Sequence, residues 1–413
     1  MSGAHVSRCS PPLLGGRPAR ALGVLAGLLV VAACRDDGPT TSNHAPAPTT
    51  AVHGYVVGAA EHAEPQLQLA YLDDAGSVHA IDLLTEETNA IGDVGPVSAV
   101  ATDGRFLFVA SHLTRELTVV DTGTWTVDHG DHVHYYRATA RVTGSLDWSG
   151  SVRAASSETL TALFSPDTGA GVVLDRAALG QGDVEEVAHV RTDPHDGALV
   201  PLGSWLVATT PGSVVALDAA GHELPGAEAE CPEPRGGHPT RVGVVVSCGD
   251  GAVLAIETAD GVDLERIPYP EPMPDAERAL AFDNRSGRPA VAAPAGRNGV
   301  WLLDTRARRW ELLSTDTAWV RAVAADDDED RVVGIDAEGR IVVLTPGEPI
   351  AATEPLLAVD QLDRVQLEVD AHRAYVNDAA GKRLLEIDYA DGARVARSLP
   401  AEVTPVHLAA TGR

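Results

Sequence analysis

A short apolar strand, a tight polar turn and a second apolar strand ending in an acidic residue recur along this chain, and that recurrence narrows the folds open to it. Ala70-Tyr71-Leu72 leads to Ile81-Asp82, Phe106-Leu107-Phe108-Val109 to Val119-Val120-Asp121, and Trp205-Leu206-Val207 to Ala216-Leu217-Asp218. Later copies run from Val244-Val245-Val246 to Ile256-Glu257, from Ala290-Val291-Ala292 to Leu302-Leu303-Asp304, and from Ala374-Tyr375-Val376 to Glu386-Ile387-Asp388. Two copies are degenerate: one ends at Val173-Leu174-Asp175, and in the other, Val332-Val333 to Val343-Leu344, Thr345 stands in place of the acid. The terminal positions 82, 121, 175, 218, 257, 304, 345 and 388 are spaced by 39, 54, 43, 39, 47, 41 and 43 residues. A four-stranded propeller blade takes about 40 to 50 residues. The reading is therefore all-β: a single β-propeller of eight blades, with seven as the alternative because the 54-residue interval holds the weakest unit and the longest loops.

Local chemistry agrees with that architecture. Period-2 runs are separated by turns such as Thr102-Asp103-Gly104-Arg105, and helical periodicity is nearly absent. The acid closing each unit reads as a cap on the strand end and the following turn, not as a catalytic group. Thr404 to Ala410 is apolar and strand-like after the last unit. It is placed to complete the first blade and close the ring, which removes exposed sheet edges.

The amino-terminal residues point to export. Arg8, Arg17 and Arg20 precede an uncharged apolar run from Ala21 to Ala33, too short for a permanent membrane span, and Cys34 follows at once. Val31-Ala32-Ala33-Cys34 resembles a bacterial lipobox. Residues 1–33 then form a lipoprotein signal peptide, with ordinary secretory cleavage after Ala33 as the alternative. Residues 34–64, rich in Thr, Pro, Ala and Gly, read as a lipidated flexible tether to a propeller over 65–413. The expected location is extracytoplasmic, on the cell surface or in the periplasm, with Cys34 holding the chain to the bacterial membrane.

The formal charge is −28, and losing the arginines of residues 1–33 makes it −31. Such a surface is repelled by nucleic acid, which is excluded as a partner, and attracts cations. Of the four cysteines, Cys9 leaves with the signal and Cys34 is committed to lipid. Cys231 and Cys248 remain, and in an oxidising compartment they are expected to pair across one hairpin, the alternative being two buried thiols.

Cation chemistry is concentrated in Asp128-His129-Gly130-Asp131-His132-Val133-His134-Tyr135-Tyr136. On an extended segment His132 and His134 share one face, where a single ion can accept both rings. Asp128 and Asp131 are placed as a third ligand or as outer acceptors that fix the imidazole tautomers. A solvated turn with incidental histidines is the competing reading.

This stretch through Arg137, together with Asp193-Pro194-His195-Asp196-Gly197, Val200-Pro201-Leu202-Gly203 and the ending Ala374-Tyr375-Val376-Asn377-Asp378, Gly381-Lys382 and Glu386-Ile387-Asp388, resembles the AztD-type zinc metallochaperones. The resemblance implies an extracytoplasmic β-propeller that hands zinc to the solute-binding protein of a zinc ABC importer. It adds His195 to His132 and His134 as expected ligands, with His129, Asp196 and His238 as further candidates. The chain departs from the family pattern at His195-Asp196, where a His-His pair is usual, and at Arg235, where a histidine is usual. A histidine-rich arm is reduced to His44, His53 and His62. The chain is read as a monomer.

Enzyme motifs are missing: the sequence contains no G-x-S-x-G elbow, Walker loop, dinucleotide fingerprint or H-E-x-x-H pair. Two alternatives stand beside the carrier. One is a lactonase-like, metal-dependent propeller hydrolase, which would draw oxygen ligands from several blades. The other is a metal-free interaction scaffold.

Overall fold

The computed structural model describes residue 56 and residues 58–413 except 130, 131, 280 and 298. The residues read as a signal peptide, Cys34, most of those read as a tether, and Asp131 therefore lie outside the described residues. Among those described, the strands form nine sheets: eight blades and one small additional sheet.

Each blade is an antiparallel sheet built around an apolar pair of consecutive strands, because the apolar runs found in the sequence are its second and third strands. In blade 2 these are Phe106–Ser111 and Glu116–Asp121, in blade 3 Leu160–Ser165 and Ala170–Asp175. Blade 6 has three named strands, and an isolated bridge from Asp283 to Ala292 takes the inner position. Blade 1 is closed by the end of the chain: His407–Thr411 pairs antiparallel with Gln68–Leu72. The expected closure is therefore present.

Alternation decides how the blades pack. Leu69 and Tyr71 turn toward blade 8 and join Tyr375, Leu384 and Leu399, while Ala70 and Leu72 turn the other way and join Leu107 and Val109 of blade 2. Every blade repeats this two-sided burial, so eight apolar clusters form, one at each seam around the ring. A strand buried on both faces reads as a continuous apolar run. That is why the repeat was legible.

The closing acids Asp82, Asp121, Asp175, Asp218 and Asp304 act as caps, whereas Asp388 pairs with Arg373 and Arg394. Asp82 Oδ1 accepts from the backbone N–H groups of Leu84 and Thr85, and Asp304 Oδ1 from those of Arg306 and Ala307. Asp175 caps the six-residue helix Arg176–Gln181 by accepting from the Ala178 N–H at 2.7 Å. Cys231 and Cys248 are disulfide-bonded, joining the entry of blade 5 to the end of its second strand, Val244–Cys248.

The 54-residue interval has a single cause, and it removes the seven-blade alternative. In blade 2 the third strand ends at Asp121, but the fourth, Arg141–Asp147, is reached only after a hairpin of Thr124–Asp128 and Val133–Arg137. The histidine run is the tip of this insertion.

Candidate metal centre

The root of the hairpin is fixed by buried contacts. Arg105 makes a bidentate pair with Asp121 at 3.0 and 2.8 Å, and its guanidinium lies 3.7 Å over the Trp125 ring. Gly123, at φ 79°, makes the turn out of the blade, where a Cβ would fall 2.4 Å from the Ala138 carbonyl oxygen. Thr126 donates to the Gly412 carbonyl at 2.8 Å, and Arg137 reaches Asp82 of blade 1 at 2.5 Å. The tip extends further. Asp128 lies 3.9 Å from Arg241, in the first turn of blade 5, so the insertion leaves blade 2 and crosses one end of the ring toward a loop three blades on.

A third strand completes the small sheet. Ala60–His62 pairs antiparallel with Val133–Arg137, placing Ala60 opposite Arg137, Glu61 opposite Tyr136 and His62 opposite Tyr135. Composition had assigned these residues to the tether, which in the structure gives way to a strand before residue 65.

On this sheet three imidazoles converge. One ligand atom from each of His129, His132 and His134 lies within 4.8 Å of the other two. The His129 N–H donates to the His132 carbonyl at 3.0 Å, so the turn folds His129 back over the pair that strand alternation had already aligned. His132 and His134 rings are 4.8 Å apart, as the i, i+2 spacing implied. Beneath them Tyr136, fully buried, stacks on His134 at 6.1 Å and on Trp125 at 5.4 Å. Burial, then the charge of Glu61, raises the Tyr136 pKa, so the phenol stays neutral.

Zinc bound at about 2.1 Å by tetrahedral nitrogens sets them about 3.4 Å apart. The ligand atoms here lie within 4.8 Å of one another, so closing them on an ion would require rotation of the side chains, of which His129 and His132 are exposed. Three imidazole nitrogens converging in this way form a donor set that can hold a metal ion.

The remaining expected ligands are not part of this group. His195 sits before the inner strand of blade 4 with Nδ1 at 2.8 Å from the Asp193 carbonyl and Nε2 at 2.7 Å from Thr209 Oγ1. Asp196 is ion-paired with Arg153. His238, on the inner strand of blade 5, places Nε2 2.9 Å from Asn284 Oδ1, and burial holds its pKa below the usual value against the opposing pull of that bond. All three are committed within the propeller. Asp128 is turned toward Arg241, while Asp131 lies outside the described residues.

One carboxylate that reaches the cluster was not anticipated. Glu61 Oε1 is 2.7 Å from His134 Nδ1, across 73 residues of sequence. Nothing in the local pattern around residue 61 marks it.

The fold and site together define an eight-bladed propeller bearing a histidine triad on an inserted hairpin. No protein-family model and no curated protein sequence matches the chain. Among solved structures it is similar to AztD of Citrobacter koseri, at 18% identity over 84% of this chain and 98% of that one, with a TM-score of 0.70. The apo form of the same protein gives 17% identity and the same TM-score. The dihydro-heme d1 dehydrogenase NirN is more distant, at 16% identity, 84% of this chain, 76% of that one and a TM-score of 0.51. At these identities the likeness is one of fold: this chain has the AztD-type propeller fold.

Proposed function

We propose that this protein is an extracytoplasmic zinc carrier of the metallochaperone type, which binds one zinc ion on the inserted hairpin and passes it to the solute-binding protein of a zinc ABC importer. The observation that carries the reading is the convergence of His129, His132 and His134 within 4.8 Å on an inserted hairpin of a propeller with the AztD-type fold. All three ligands come from one hairpin and are imidazoles. A hydrolase with its ion on the axis would instead take hard oxygen ligands from several blades. The exposure of His129 and His132 also lets a partner approach the metal directly. Lipid attachment through Cys34 keeps the carrier beside a membrane importer and belongs to the same proposal.

Loading requires neutral imidazoles, so protons compete with the metal and affinity falls as pH falls. The decisive experiment is a calorimetric zinc titration of the wild type and of a His132→Ala, His134→Ala double variant. One zinc per chain is expected for the wild type and none for the variant, with unfolding temperatures unchanged because the hairpin tip bears no part of the core. Equal affinity in both would remove the hairpin as the site. Hydrolysis of a lactone or ester panel by the zinc-loaded protein would replace the carrier with an enzyme. A loaded wild type that transfers nothing to an apo solute-binding protein would leave storage in place of delivery.

A further inference from the structure

We infer that the strand Ala60–His62 is a clasp whose docking is coupled to metal binding through Glu61, a positioning residue for His134. The inference rests on the zinc reading of the hairpin. Glu61 Oε1 stands 2.7 Å from His134 Nδ1, and a carboxylate has only acceptor atoms at neutral pH. His134 must therefore donate from Nδ1. That fixes the tautomer with its lone pair on Nε2, the arrangement in which a carboxylate, an imidazole and a metal ion line up.

What distinguishes this carboxylate is where it comes from. It sits on no part of the hairpin but on a separate three-residue strand, all three positions of which are exposed. Three ladder positions with little apolar burial make a weak attachment, the kind of element that opens locally at low free-energy cost. A weakly docked strand is where a modest binding energy has leverage. If Glu61 strengthens metal binding by some factor, metal must strengthen docking of Ala60–His62 by the same factor, because linkage between binding equilibria is reciprocal. Undocking the strand takes the orienting acceptor away from His134 and loosens the metal without disturbing any blade. The strand leads directly into Gln68–Leu72 of blade 1, so its attachment point is rigid while its own pairing is not.

The test uses the full chain with zinc alone as the probe. Glu61→Gln keeps the side-chain shape and removes the charge at an exposed position, so the fold is not at stake. Competition with a chromophoric chelator should show zinc affinity reduced by about 10- to 100-fold, the usual cost of losing an outer carboxylate. Hydrogen–deuterium exchange of a peptide covering residues 58–64 should slow on zinc addition in the wild type by a similar factor, and this zinc-dependent protection should vanish in Glu61→Gln. Affinity equal to wild type overturns the clasp, as does reduced affinity with exchange in the wild type indifferent to zinc. The His132→Ala, His134→Ala variant separates the two readings. If it loses zinc while Glu61→Gln behaves as wild type, the clasp alone fails; if the wild type itself takes up no zinc, both fail.

Discussion

The blades and the inserted hairpin are made from the same antiparallel strands, yet they treat histidine in opposite ways. Inside the ring the two histidines expected as ligands are each met by a fixed protein partner: His195 by Thr209 and the Asp193 carbonyl, His238 by Asn284. On the hairpin the imidazoles are brought up against one another, His129, His132 and His134, with ring centres 4.8 to 5.3 Å apart. The difference is one of neighbours. His195 and His238 lie against polar atoms of the blades, whereas the inserted hairpin carries its imidazoles beyond them, where they meet one another and can leave coordination to a ligand. Stability and metal binding should therefore be separable, with changes to the ring moving the first and changes to the hairpin the second.

The largest ring effect should come from the disulfide. Cys231 and Cys248 close a loop with a sequence separation of 17, and constraint of the unfolded chain by a loop of that size is worth about 3 kcal/mol. Replacing both with alanine should lower stability by roughly that amount in denaturant unfolding while zinc stoichiometry stays at that of the wild type. A loss of zinc in this variant would break the separation.

A smaller effect, and one that depends on pH, should come from Asp283 at the inner edge of blade 6. Burial, reinforced by repulsion from Glu368, pushes its carboxyl up from 3.8 to about 7. The folded protein holds this proton where the unfolded chain has released it. The stabilising contribution is thus fully present below about pH 4 and is lost as pH rises toward 7. Asp283→Asn retains an acceptor for the Asn284 N–H and cannot ionise. It should stabilise the protein at pH 8 by on the order of 2 kcal/mol and give no gain at pH 4, measured by unfolding at both values. An equal gain at both would show that the carboxyl is already ionised at acid pH.

The smallest ring effect is also the sharpest comparison. His195→Ala removes two hydrogen bonds of a partly exposed ring and should cost about 1 kcal/mol. Zinc affinity should not change. A drop comparable to that of the hairpin variants would restore His195 to the metal site and erase the contrast between ring and hairpin.

Much of this was legible in the chain itself, for a physical reason that differs from element to element. Strands buried on both faces must be apolar along their length, so the blade count could be read from runs such as Ala374-Tyr375-Val376 and Glu386-Ile387-Asp388. The pairing of His132 with His134 and that of Cys231 with Cys248 were likewise accessible, because strand alternation and a hairpin are local devices. The resemblance, by contrast, pointed to His195, and only the tertiary structure shows that ring nitrogen turned to Thr209.

What sequence alone determined is whatever repeats with the period of the strand: the ring, its order and its closure by His407–Thr411. What tertiary structure alone decided is the company each exposed side chain keeps. The long interval after Asp121 became an insertion because the fourth strand of blade 2 pairs only after the chain has crossed the end of the ring. Glu61 became the partner of His134 because ring closure carries the start of the propeller to the base of that insertion, a meeting across 73 residues that no local pattern encodes.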